Sequence, residues 1–152
     1  MVASAVALGK NVNSVDLKAF VDAHRWAVQT SASNAGVPQA ALIGIAMTDK
    51  NEIVFDTMST SRKAKNLRDN PRLAMVIGGW EDDDPRTLQI EGDVDFPGGE
   101  DLERMKLAYY AVFADGPSRL DWPELVYVRL TPRWARFSDY LAEPPEIHEW
   151  TM

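Results

Sequence analysis

Residues 53–77 read IVFDTMSTSRKAKNLRDNPRLAMVI. Ile53, Phe55 and Thr57 fall on one side of an extended chain and Val54, Asp56 and Met58 on the other, so the stretch begins as a β-strand. Ser59, Thr60 and Ser61 follow, and then Arg62, Lys63, Lys65 and Arg68 crowd into seven positions of a chain whose formal net charge is −7. Ser61 is a helix N-cap residue, which predicts a helix from Arg62 to about Asp69. Asn70-Pro71 ends it, because the residue before a proline is pushed out of the α region. RLAMVIGGW then reads as a buried strand. Cations in the first turn oppose the helix dipole by about 0.3–1 kcal/mol each, and an anion over that end reverses the sign of the penalty. On charge alone two readings stand: a solvated basic turn that balances nearby carboxylates, or a phosphate monoester pocket furnished with hydroxyls.

Working outward, Asn13 and Ser14 precede VDLKAFVDAH, whose Leu17, Phe20 and Val21 have helical spacing. WAVQTSAS and AALIGIAM flank NAGVPQ and read as a hairpin, with TDKNE as the next turn. Downstream, EDDDP is a charged turn leading into RTLQIEGDVDF, where Thr87, Gln89 and Glu91 alternate with Leu88 and Ile90. PGGEDLERMKLAYYAVFA predicts a helix with a stripe of Leu102, Met105, Tyr109 and Val112. The last strand, ELVYVRLTPRWARFSDY, is interrupted by Pro132, which marks an edge or a bulge. Six strands with three short helices between them, over one domain of residues 1–152, predict a mainly β fold: a six-stranded antiparallel split barrel.

Composition narrows the functional classes. A chain of 152 residues buries about 70% of its unfolded surface, enough for a real core. Without cysteine, disulfides and thiolate metal sites are excluded. The sequence pI near 4.8 argues against broad contact with nucleic acid or anionic lipid. VASAVALGK at the start has no basic region before it and no span long enough for a bilayer, so the expectation is a leaderless cytoplasmic protein. Of the two histidines, His24 reads as a partly exposed helix residue and His148 as part of a loose proline-rich tail, so no metal site is expected. The acids Glu81 to Asp84 read as a solvated hairpin tip. Trp26 is expected in the core, while Trp134 and Phe137 are the best aromatic candidates for a ligand or dimer contact. Nucleophile elbows, Walker loops, Rossmann fingerprints and catalytic triads are absent from the sequence.

VFDTMSTSRKAKNLRDNPRLAMVI, together with the preceding TSASNAGVPQAALIGIAMTDKNEI, resembles the flavin-binding split barrels of the pyridoxamine 5'-phosphate oxidase-like superfamily. The resemblance runs from the first helix to LTPRWARF. It implies non-covalent flavin mononucleotide (FMN), with the phosphate on Arg62 and Lys63, Ser61 opening the helix, and Asp56 and Thr57 at the strand end beside the cofactor. It further implies a polar contact from Thr87, Gln89 one step along the same face, and stacking by Trp134. It implies a homodimer with flavin sites along the subunit interface, acting as an oxidoreductase on a small molecule. Deazaflavin or haem in the same groove, or a binding and sensing protein without turnover, are the alternatives. Two departures exclude the oxidase itself: Ala41 and Ala46 stand where oxidases carry a further Arg and Lys, and Ser138 stands at the position of their C-terminal Trp.

Overall fold

Nearly every expected strand forms, but the long apolar run AALIGIAM is divided between two partners. The computed structural model describes residues 6–7 and 14–152, with side chains from Leu17 onward, so Asn13 lies outside the described residues. In chain order the elements are β1 (Val6–Ala7), α1 (Ser14–His24), β2 (Trp26–Ala32), β3 (Pro38–Gly44), β4 (Ala46–Met47), β5 (Ile53–Met58), α2 (Arg62–Asp69), β6 (Arg72–Gly78), β7 (Thr87–Asp95), α3 (Gly99–Val112), a 3-10 turn (Gly116–Arg119), β8 (Leu125–Asp139) and β9 (Glu146–Thr151). They form one curled sheet in the order β1-β9-β8-β7-β6-β2-β3, with β5 on β8 and β4 on β5. All pairings are antiparallel except β1 with β9. This is the split-barrel class expected, with nine strands among the described residues rather than six.

The extra strands have physical causes. After Gly44 the chain turns: Ile45 N–H donates to Arg25 O, and Ala46 and Met47 pair with Val54 and Ile53 of β5. A Cβ on Gly44 would come within 2.6 Å of the Phe113 ring, so the corner needs glycine to let α3 approach. The proline-rich tail is not loose. Pro144 and Pro145 precede β9, which covers the edge of β8 and buries Ile147 and Trp150.

β8 holds the curl closed. Its residues Leu125 to Leu130 pair with β5, and Arg129 to Ser138 pair with β7. The register slips where Glu91 faces Trp134 and Gly92 faces Pro132, which leaves Arg133 as the extra residue of a bulge. A Cβ on Gly92 would meet Thr131 O at 2.1 Å, so glycine is required opposite the bulge.

Two apolar clusters result. Phe55, Leu67, Ile77, Leu88 and Leu130 lie within the barrel, while Val54, Met105, Tyr109, Phe113 and Tyr127 join α3 to the other face of β5 and β8. Coverage on both faces explains why Ile53, Val54 and Phe55 are all fully buried. Trp26, expected in the core, is 39% exposed at the start of β2, its ring edge-on to Phe113. His24 closes α1 and holds the acidic tip: its Nε2 lies 3.0 Å from Asp84 and its Nδ1 2.8 Å from Phe20 O. Glu81, Asp82 and Asp83 are exposed. Among the described residues no helix is long and apolar enough to cross a membrane.

Candidate functional site at the start of helix α2

The strand IVFDTM ends at the mouth of the barrel, and the turn after it delivers three polar groups to one point. Ser61 caps α2 as its spacing predicts: its Oγ accepts from Ala64 N–H at 3.2 Å. The Ser61 hydroxyl lies 3.1 Å from Thr57 Oγ1, and the Lys63 ammonium donates to Thr57 Oγ1 at 3.2 Å. Thr57 is buried, its side chain on the barrel side of β5. The first turn of α2 contains no acidic residue, so its exposed N–H groups and dipole are not neutralised from within the helix.

The four cations divide into two pairs. Lys65 binds Asp69 on the helix surface at 2.9 Å, and Arg68 donates to Ser59 O at 2.8 Å beside the Phe96 ring. These two are engaged in holding α2. Lys63 and the exposed Arg62 have no carboxylate within 4 Å among the described residues. Burial pushes the Lys63 pKa below the ordinary lysine value, and the field of Asp56 only partly opposes it. A half-buried ammonium, two hydroxyls and a helix N-terminus without an anion make a donor set suited to a phosphate dianion.

Asp56 faces away from this cluster. Its carboxylate accepts from Tyr109 OH at 3.1 Å and Arg119 Nε at 3.0 Å, which ties β5 to α3 and the 3-10 turn. Burial, and then the charge of Asp56, hold the Tyr109 phenol far above the ordinary tyrosine range. Ser59, the first hydroxyl of the motif, is bonded to the Glu124 carboxylate. Neither side chain is aimed at the hydroxyl–ammonium cluster.

Gln89 and Trp134 belong to a second feature, a shallow pocket of about 220 Å³ on the outer face of the sheet. Its lining includes Val28, Thr30, Val76, Gln89, Glu91 and Trp134. The Trp134 indole N–H donates to Glu149 at 3.0 Å. Thr87 shares their face but stands outside the pocket, its methyl under Gly79. Within one chain the predicted residues therefore fall into two groups, Thr57, Ser61, Arg62 and Lys63 at α2 and Gln89 and Trp134 on the outer face, with Asp56 and Thr87 outside both.

One polar residue escaped the sequence reading. Gln29 is fully buried between its ladder neighbours Ala41 and Met75, and neither of its amide atoms has a partner. Two residues along the same face, Ser31 accepts from the buried Asn66 of α2 at 3.2 Å. Alternation alone places Gln29 on a face without saying that the face is covered. Ala46 is fully buried beneath α3, where a lysine side chain would enter an apolar cluster.

A family profile described as pyridoxamine 5'-phosphate oxidase matches residues 16–139. Curated proteins provide no match. Among solved structures, a haem binding protein from Mycobacterium smegmatis superposes with a TM-score of 0.76 at 15% identity, over 93% of this chain and 59% of that one. The chain thus spans little more than half of that protein. The haem storage protein HutZ from Vibrio cholerae gives 0.68 at 13% identity, over 78% and 88% of the two chains. General Stress Protein 26 from Bacillus anthracis gives 0.60 at 17% identity, over 88% and 95%. At these identities the likenesses establish the fold.

Proposed function

The chain belongs to the pyridoxamine 5'-phosphate oxidase family, and from that premise we propose that it binds FMN non-covalently and serves as an oxidoreductase toward a small molecule. The observation that carries this reading is the convergence of Thr57, Ser61 and Lys63 on the start of α2 without a neutralising carboxylate among the described residues. The donor set fits the group. Lys63 and Arg62 would balance the phosphate charge, Thr57 and Ser61 would donate to its oxygens, and the backbone N–H groups of α2 would complete the cradle. When bound, the flavin supplies the electron or hydride transfer, so the chain need only hold, orient and shield it.

In the same reading the protein is a cytoplasmic homodimer. The outer face runs from Leu42 through Val28 and Val76 to Gln89, each the ladder neighbour of the next, and Leu42 is 64% exposed. A second copy that meets this face with the edge carrying its α2 cluster would bring one protomer's Gln89 and Trp134 pocket toward its partner's site. That pairing would unite the two groups of site residues. Asp56 keeps an indirect part, through its field on Lys63.

The descriptions of the Mycobacterium smegmatis and Vibrio cholerae structures favour a second reading, in which the groove holds haem without turnover. One experiment separates the two. The purified apoprotein is titrated with FMN, riboflavin and haemin, following flavin fluorescence and the haem absorbance band. Our reading expects FMN to bind at least tenfold more tightly than riboflavin and Lys63→Ala to remove most of that difference. Equal affinity for FMN and riboflavin, or tight binding of haemin alone, would overturn it. A copurifying chromophore whose spectrum is that of a deazaflavin would keep the phosphate site and replace the cofactor.

A further inference from the structure

β7 stops pairing at Asp95, opposite Arg129, and the chain runs on into Phe96 and Pro97, where proline has no N–H to give the ladder. β8 from Leu125 to Val128 therefore pairs with β5 but not with β7. The space beside that free edge is bounded by α3 and the segment after the 3-10 turn. It is a cleft of about 260 Å³ whose walls include Phe96, Leu102, Lys106, Leu120, Val126 and Tyr127.

Among the lining side chains only Lys106 and Tyr127 carry polar groups. The Lys106 ammonium lies 6.0 Å from the centre of the Tyr127 ring, and its carboxylate partner among the described residues is Glu103, at 3.3 Å and 70% exposed. A pair of that kind contributes little and is readily exchanged for another anion. Tyr127 and Tyr110 hydroxyls lie 3.0 Å apart, and between them hold two protons of which the mutual bond uses one. Burial and then the Tyr110 hydrogen bond keep the Tyr127 phenol protonated, far above its ordinary range. Leu120 is 49% exposed at the rim, so the apolar surface continues outward.

We propose that this cleft is a binding site for a one-ring aromatic carboxylate, the ring among Phe96, Leu102 and Leu120 and the carboxylate on the Lys106 ammonium. Pockets for drug-sized ligands span roughly 300–1,000 Å³, so a cleft just below that range suits a single ring. A phosphate dianion is a poor occupant, because Lys106 is the one cation in the lining and balances half of its charge. A neutral ring offers the ammonium no anion beyond the exposed Glu103. Val126 is the ladder partner of Thr57, so the cleft adjoins the α2 cluster, but its ligand chemistry does not depend on flavin being bound there.

Calorimetric titration of the full chain with benzoate, and with benzyl alcohol as its neutral counterpart, tests this. Benzoate is expected to bind saturably and at least tenfold more tightly than benzyl alcohol. Lys106→Met, which keeps the aliphatic stem, is expected to weaken benzoate at least tenfold and leave benzyl alcohol unchanged, while Lys63→Ala alters neither. Leu102→Trp fills the cleft and should abolish both, which decides the matter if an unfolding curve shows that Lys106→Met has lost its fold. The absence of saturable benzoate binding, full benzoate affinity in Lys106→Met or Leu102→Trp, or its loss in Lys63→Ala, which would locate the anion at α2, overturns the proposal.

Discussion

Lys63 sits where burial makes its charge costly and no carboxylate of the described residues within ion-pair distance offsets that cost, so its titration reports on the site. Its folded pKa is lowered below the model-compound value of 10.5, which means that between the two values the unfolded chain binds more protons. Stability of the apoprotein should therefore rise as pH climbs through the folded value toward 10.5. Phosphate binding has the opposite dependence, since it needs the ammonium: FMN affinity should fall over the same interval while riboflavin affinity stays flat. Lys63→Arg should remove that dependence, because a guanidinium keeps its proton throughout. Titrations of both flavins from pH 7 upward check the pair, and parallel curves for the two would count against a phosphate on Lys63. Thr57→Val removes one hydroxyl of the cluster. A hydrogen bond to a charged group contributes about 1.5–3 kcal/mol, so FMN affinity should drop by about tenfold or more in a flavin fluorescence titration. Glu52 titrates at the acid end: bonds from Arg104, then Thr48, hold its carboxyl below the ordinary glutamate value of 4.5. That contribution is present above the unfolded pKa and is lost as pH falls through the lower folded one. Glu52→Gln should accordingly flatten the loss of thermal stability below about pH 4.5, seen as a smaller fall in unfolding temperature.

Helix α2 was legible because its signals are local: a Ser cap, a run of helix formers and an Asn-Pro stop give the bounds that the structure shows. Ser61→Ala should cost about 1 kcal/mol in urea unfolding, the usual worth of such a cap, and should weaken FMN binding as well. Strands β6, β7 and β8 were legible for the same reason, down to the interruption at Pro132, where of the two readings, edge or bulge, the structure shows the bulge. What stayed hidden was decided by distant partners. AALIGIAM looks like one strand until Ile45 bonds Arg25 and Met47 turns to β5. Glu146–Thr151 looks like a tail because two prolines precede it, yet the edge of β8 needs a partner and the tail has the residues to provide one. Trp150 Nε1 is buried without an acceptor, so the strand is held there by packing rather than by that polar edge. Trp150→Ala should cost about 3–5 kcal/mol in the same urea assay, whereas a loose tail would leave the midpoint unmoved.

At the scale of the molecule the fold class could be read from the sequence, and so could part of the α2 cluster. Thr57, Ser61 and Lys63, which the family resemblance placed beside one cofactor, come together at α2, but Gln89 and Trp134 occupy another face, because a barrel strand sends alternate residues to opposite sides of the sheet. Spacing along one chain cannot say whether two faces meet through a second copy. The outer face presents Leu42, Val28 and Val76 in register, Val37 and Trp26 are also exposed, and β3 lies at the sheet edge. An exposed apolar face beside an unpaired edge is a surface that a soluble protein ordinarily covers. If a second copy covers it, placing a charge at its centre has two linked effects. Leu42→Glu should halve the mass measured by sedimentation at micromolar concentration, since two like charges would face each other or be desolvated at the contact. It should also weaken FMN binding, although Leu42 lies outside the α2 cluster, because each site would lose its partner's Gln89 and Trp134. Thermal unfolding of the variant separates dissociation from misfolding. A wild-type chain that sediments as a monomer and binds FMN with undiminished affinity would show that Thr57, Ser61 and Lys63 suffice, and that the outer pocket has another use.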